Sequence, residues 1–292
     1  VTRQENSMRI TLGDIPIDYR ERGDGPPLLL LPGGAGHAGV LDELTAHLAA
    51  HYRVVAMSSR LVSARPDGDQ HPKVYAEDVL GLIEALFDEP PVVFAFSAGA
   101  ITTLELLTRH PDRLRLAVVH EPPVLNLLPD AGRHPDALEA VRAAARAGDL
   151  DEAGRLMTEA MTAPGPGGDS PDLRHDGDWL DSYAETSPEP PTPELLELFA
   201  HLRELQPLFL EHVLVPFTST EVDLDALAAV GSRLAPAAGI DSRGQLPYRA
   251  AAALATGLGL PLTEFPGGHL GPVERPAQFA RALTALVEAR RA

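Results

Sequence analysis

Apolar residues recur along this chain in two rhythms. Near the start, residues 9–12 and 15–19 alternate apolar and polar around Gly13-Asp14, the period of a half-buried antiparallel hairpin. From residue 28 onward the runs become short and continuously apolar, at 28–31, 53–57, 92–96 and 114–120. Each is too short for a helix and reads as a parallel strand buried on both faces. Between them the apolar positions fall three and four apart, predicting helices over 40–50, 74–87 and 98–109. Strands alternating with helices argue for a mostly parallel α/β sheet flanked by helices.

Beyond residue 122 the alternation stops. The pattern there predicts helices over 137–147, 152–161, 193–205 and 224–230, with a Pro/Gly-rich loop running from Ala163 to Pro193. It resumes with a strand at 233–238, a helix at 248–257, a strand at 261–265 and a last helix from Pro272. The expected organisation is a first core part (1–122), an inserted helical cap (123–235) and a second core part (236–292).

The candidate chemistry sits where strands end. Residues Val92 to Phe96 lead directly into Ser97, which is followed by Ala98-Gly99 and a helical pattern. A strand that turns abruptly into a helix strains the residue at the bend and admits only small neighbours two positions away, as in the G-x-S-x-G nucleophile elbow. Here the motif is Ala95-Phe96-Ser97-Ala98-Gly99, with Ala in place of the first Gly. A serine at such a bend also serves simply as a helix cap. As a nucleophile it needs a base, an orienting acid and an oxyanion hole. Among eleven histidines, His269 in Pro266-Gly-Gly-His269-Leu alone lies just after the last strand, on a glycine-flanked loop. Leu31-Pro-Gly-Gly34-Ala-Gly36 follows the third strand, and its Gly34 N–H, with that of Ala98, is the expected pair of oxyanion donors.

Hairpin, strand–Pro-Gly-Gly loop, elbow serine, helical insertion and late histidine, in this order, resemble the α/β-hydrolase fold superfamily over nearly the whole chain. Two departures are visible. The oxyanion loop opens Pro32-Gly33 where His-Gly is usual, and Met57-Ser-Ser-Arg-Leu-Val-Ser63 replaces the usual Asp-x-Arg-Gly-x-Gly. The resemblance implies an acid after the seventh strand, three residues beyond Gly239. Ser242 stands at that place, and Asp241 is one position early. Some members, certain lactonases and haloalkane dehalogenases among them, carry a Glu after the sixth strand instead. Glu121, 24 residues after Ser97 by the difference of their numbers, matches that arrangement. Glu121 is therefore the first candidate acid and Asp241 the second. The alternative for Glu121 is a structural role, binding main-chain N–H groups at the cap junction.

Composition narrows the classes. With no cysteine, disulfides, thiolate metal sites and cysteine nucleophiles are excluded. A formal net charge of −18 disfavours nucleic acid and anionic membranes as partners. With no apolar signal segment at the start and no membrane-length apolar run, a cytoplasmic location is expected. No metal or cofactor is called for.

Two rival readings stand beside the hydrolase. Gly34-Ala-Gly-His-Ala-Gly39 is also a literal G-x-G-x-x-G after a strand, and Ser58-Ser-Arg60 at the end of the next strand would suit NADP. The fold also occurs as non-hydrolytic binding or cyclisation modules, and a cofactor-free haloperoxidase uses the same triad. The expected activity is a serine hydrolase acting on an ester or lactone of an apolar small molecule. Ser97, Glu121 and His269 would be its triad, and Trp179, Tyr183, Met157, Met161, Phe209 and Phe217 would either line its pocket or form the cap's own core.

Overall fold

A computed structural model describes residues 7–163 and 193–290. Its centre is an eight-stranded sheet ordered β1-β2-β4-β3-β5-β6-β7-β8. The hairpin of β1 (Ser7–Leu12) and β2 (Ile15–Arg22) forms one edge, and β2 pairs antiparallel with β4 (Arg53–Met57). The remaining strands are β3 (Pro27–Leu31), β5 (Val92–Phe96), β6 (Leu116–His120), β7 (Leu234–Gly239) and β8 (Thr263–Phe265), and from β4 across to β8 every pairing is parallel.

Continuous apolarity in the central strands has the expected cause: both faces are covered. Leu29, Leu31, Val93 and Ala95 pack on one face against Val79, Leu82, Ile101 and Leu104. Those residues belong to α3 (Pro72–Leu86) and α4 (Ala98–Arg109), separated from α1 (Asp42–Leu48) by the short α2 (Arg60–Ser63). Leu28, Leu30, Val92 and Phe94 face the other way, toward Leu44 and Leu48 of α1 and Phe279 and Leu283 near the C-terminus. The period of two within each strand thus divides one apolar run between two cores.

Between β6 and β7 the described elements are all helical: α5 (Pro135–Arg146), α6 (Leu150–Thr162), α7 (Pro193–His212), α8 (Leu214–Thr218) and α9 (Leu224–Ala229), with short 3-10 turns. The expected 163–193 loop lies almost wholly outside the described residues, as do Trp179 and Tyr183. The cap–core boundary expected at 235 falls inside β7, which already begins at Leu234. Helix α7 runs through Pro207 to His212, past the predicted stop at 205. Burial of Leu205, Leu210 and Val213 holds the segment in place where propensity alone would end it.

Helix α10 (Leu246–Leu258) follows β7. The predicted last helix is two, α11 (Gly271–Glu274) and α12 (Pro276–Ala289). Arg275, at φ −132° and ψ 50°, separates them because Pro276 pushes the residue before it out of the helical region. Among the described residues no helix is long and apolar enough to cross a membrane.

Candidate active site

Parallel strands end on the same side of a sheet, and the turns after β3, β5, β6, β7 and β8 gather there. Ser97 is the single residue between β5 and α4, at φ 54° and ψ −124°. Among the described residues only Arg65, Ser97 and Glu121 combine a side chain with positive φ. Such backbone costs about 1–3 kcal/mol and persists only where the surroundings impose it. The surroundings here are tight. A Cβ on Gly99 would lie 2.6 Å from the Pro32 oxygen and 2.7 Å from that of Leu31, and one on Gly33 would lie 2.6 Å from Cβ of Ser97. Only glycine at these two places lets the oxyanion loop, the elbow and α4 close on one another.

The loop after β3 is held from β4. The Ser58 hydroxyl accepts from the Ala38 N–H at 3.0 Å, and the Ser59 hydroxyl donates to the Ala35 carbonyl at 2.9 Å. Ser58 and Ser59 occupy the departure noted at 57–63, and sequence reasoning did not assign them this part. Arg60 does not reach outward. Both its bonds to Asp78, at 2.6 Å, close a bidentate pair in the wall beside the site. Gly36 donates to the Gly33 carbonyl at 3.0 Å and Gly39 to the His37 ring at 3.0 Å. With Ala38 also spent on Ser58, three N–H groups of the G-x-G-x-x-G segment, those of Gly36, Ala38 and Gly39, are already bonded within the protein, which counts against a pyrophosphate cradle and the dinucleotide reading. The N–H groups of Gly34 and Ala98, in contrast, donate to no main-chain acceptor among the described residues. Both residues border the same cleft.

Glu121 follows β6 directly and is fully buried. One carboxylate oxygen accepts the Gly239 N–H at 2.8 Å and the Ser242 hydroxyl; the other lies 2.8 Å from Nδ1 of His269. Burial pushes this carboxyl up. The bonds from His269 and Ser242 and the neighbouring His120 ring outweigh that and hold it below the usual carboxylate range. An ionised carboxylate only accepts, so Nδ1 of His269 carries the proton and Nε2 is left with a free lone pair. Asp241 is turned away, paired at 2.8 Å with Arg275 and half exposed. Of the two candidate acids, the structure brings Glu121, and not Asp241, to the histidine. The carboxylate is also linked to the elbow through the main chain, since the Ser97 N–H donates to the carbonyl of His120 at 3.0 Å.

Beside Gly34 and Ala98 opens a cleft walled by Leu31, Met57, Tyr75, Val79, Val213 and Phe217. Phe217 reaches it from α8 and meets Tyr75 edge-on at 5.1 Å. Met157, Met161 and Phe209 instead pack against the main core as partly buried residues. Of the aromatic and Met residues suggested by the sequence that lie among the described residues, Phe217 is the one placed in this wall.

A family model described as "Alpha/beta hydrolase family" matches residues 28–282. Uncharacterized hydrolase YraK of Bacillus subtilis (strain 168) is 28% identical over 280 residues, 93% of this chain and 92% of that protein. Two solved structures match nearly end to end. A thermophilic esterase from Thermogutta terrifontis gives a TM-score of 0.70 at 18% identity, covering 98% of this chain and 100% of that one. Est816, described as an N-acyl homoserine lactone degrading enzyme, gives 0.69 at 19% identity, covering 95% and 99%. The eight-stranded sheet, the helical insert and the family match together place this chain in the alpha/beta hydrolase family.

Proposed function

We propose that the protein is a serine hydrolase that cleaves a carboxylic ester or lactone of an apolar small molecule through an acyl-enzyme. The observation that carries this reading is the buried Glu121 carboxylate bonded to Nδ1 of His269, together with a serine in an elbow conformation whose N–H donates to the carbonyl of His120, the residue before Glu121. Nε2 of His269 takes the Ser97 proton as Oγ attacks the carbonyl carbon. Glu121 keeps the ring in the tautomer that can do so and stabilises the imidazolium. The N–H groups of Gly34 and Ala98 bind the oxyanion; one such donor is typically worth ~10²–10³ in rate. The imidazolium then protonates the departing alkoxide and the C–O bond breaks. Water, deprotonated by the same nitrogen, attacks the acyl-enzyme and returns Ser97 to its starting state. In a lactone the alkoxide stays attached, and the product is a hydroxy acid.

The apolar cleft supports an apolar acyl or ring portion, and the esterase and the lactone-degrading enzyme among the structural neighbours support an ester or lactone as the bond cleaved. The test is intact-protein mass spectrometry after treatment with a fluorophosphonate, with Ser97→Ala alongside. One adduct on the wild type and none on the variant is the expected result. A folded wild type that takes no adduct overturns the reading.

A further inference from the structure

His120 closes β6 one residue before Glu121, and the mechanism above leaves its side chain unused. The ring is fully buried. It stands edge-on to Phe279 and Phe265, with centroids 5.3 and 6.2 Å away. Its Nε2 lies 3.2 Å from the main-chain oxygen of Gly268, the residue before His269. A carbonyl only accepts, so Nε2 carries the proton; Nδ1 has no partner. Burial lowers the ring's pKa to about 4, which keeps it neutral near pH 7. An apolar side chain would fill this place beside the stacked rings of Phe265 and Phe279 without leaving a nitrogen unpaired. What the imidazole adds is the bond to Gly268.

That bond acts on a segment restrained through its main chain alone. Gly267 and Gly268 carry no side chains, and Gly267 sits at φ +88°. The Gly267 carbonyl accepts from the Asp241 N–H at 3.0 Å, and the Gly268 carbonyl also accepts from Gly271 at 3.0 Å. The carbonyl of His120 itself accepts the Ser97 N–H. Residue 120 therefore bonds at once to the main chain of the elbow and to the loop that carries His269, while residue 121 holds the imidazole of His269.

Building on the reading of Ser97 and His269 as nucleophile and base, we propose that His120 is a positioning residue, whose bond to the Gly268 carbonyl sets the placement of His269 between Glu121 and Ser97. The substitutions that separate reach from packing are His120→Gln, whose amide nitrogen extends about as far as Nε2, and His120→Asn, whose amide stops short. His120→Phe keeps the volume and removes the donor. With an ester substrate, Phe and Asn are expected to lower kcat roughly 10–100-fold, the scale of an ångström-sized misplacement. KM should stay close to wild type, and Gln should recover most of kcat. Proton NMR supplies a readout that does not depend on turnover. The downfield signal of the proton between His269 and Glu121, assigned by its loss in Glu121→Gln, should persist in His120→Gln and broaden away in His120→Asn and His120→Phe. Equal kcat and an unchanged signal in all three overturn the proposal, as does equal loss in Gln and Asn at native melting temperature. A wild type that takes no fluorophosphonate adduct counts against the hydrolase reading, while the NMR comparison still decides the role of His120.

Discussion

Ser242 donates its hydroxyl to Glu121, the carboxylate whose other oxygen meets His269. A serine after β7 thus supports an acid supplied by β6. The second acid candidate, Asp241, faces Arg275 at the surface. Replacing Glu121 with Gln removes the charge and offers His269 an amide that can donate, favouring the wrong tautomer; kcat should fall by as much as roughly 10⁴-fold. Ser242→Asp in that background restores a carboxylate within reach of the same space and should recover at least part of the loss. Asp241→Asn should leave kcat within about twofold, as for an exposed pair. Kinetics on the two single variants and the double variant decide the matter: a severe effect from Asp241→Asn alone would reverse the assignment.

The elbow conformation makes a stability prediction separate from activity. Ser97→Ala and Ser97→Gly both remove the hydroxyl, but only glycine adopts φ 54°, ψ −124° without steric cost. Both should be inactive, with the Gly variant more stable than the Ala variant by about 1 kcal/mol or more in urea unfolding. Equal midpoints would mean that the bend is unstrained.

Gly99→Ala tests the contact between α4 and the oxyanion loop. Its Cβ would meet two carbonyl oxygens, those of Pro32 and Leu31, at 2.6 and 2.7 Å. Backbone must move to admit it, at about 1–3 kcal/mol of stability. Because the segment that moves carries Gly34, kcat should fall further than the stability loss alone would produce. A stable variant with native kcat would show that the loop accommodates the methyl group.

Stability should fall in mild acid, and the sign follows from two buried histidines. Burial lowers His120 from 6.5 to about 4. His37 also falls to about 4, through burial and then through the neighbouring His201 and Arg20. The folded state resists protons that the unfolded chain accepts below 6.5, so stability is level above that pH and declines toward pH 4. Each ring contributes about 2 kcal/mol of loss by about pH 5. Glu121, held below its usual 4.5, adds its own loss only in stronger acid. Urea unfolding at about pH 7.5 and about pH 5 should show a smaller drop for His120→Phe than for the wild type; an equal drop assigns the dependence elsewhere.

Much of the frame was legible because local pattern and tertiary environment agree. Strands β4 and β5 and helix α4 fall where the apolar runs place them, since a strand buried on both faces leaves a continuous signal. The family resemblance and the fold class were legible for the same reason. Elements that hinge on one residue were less so. Arg275 before Pro276 splits the last helix, and Pro207 fails to stop α7 because packing outweighs the lost hydrogen bond. Of the candidate site residues, His269 stood out by its flanking glycines and Ser97 by the small residues around the bend. Ser58, Ser59 and Ser242 did not, because a hydroxyl that holds a loop leaves no spacing to read. His120 did leave a trace: a histidine amid Val118, Val119 and a buried acid is an unusual strand end.

Placing the carboxylate after β6 also changes how the chain is divided. On the proposed reading, oxyanion loop, elbow and acid all precede the helical insert, and only the base arrives from beyond it, 148 residues after Glu121. A chain opened within the insert would yield one fragment with everything but a base and another with nothing but the base. Reconstitution from such halves would depend on β7 zipping against β6, with Gly239 and Ser242 closing on the waiting carboxylate, and on α12 returning to the sheet face it shares with α1.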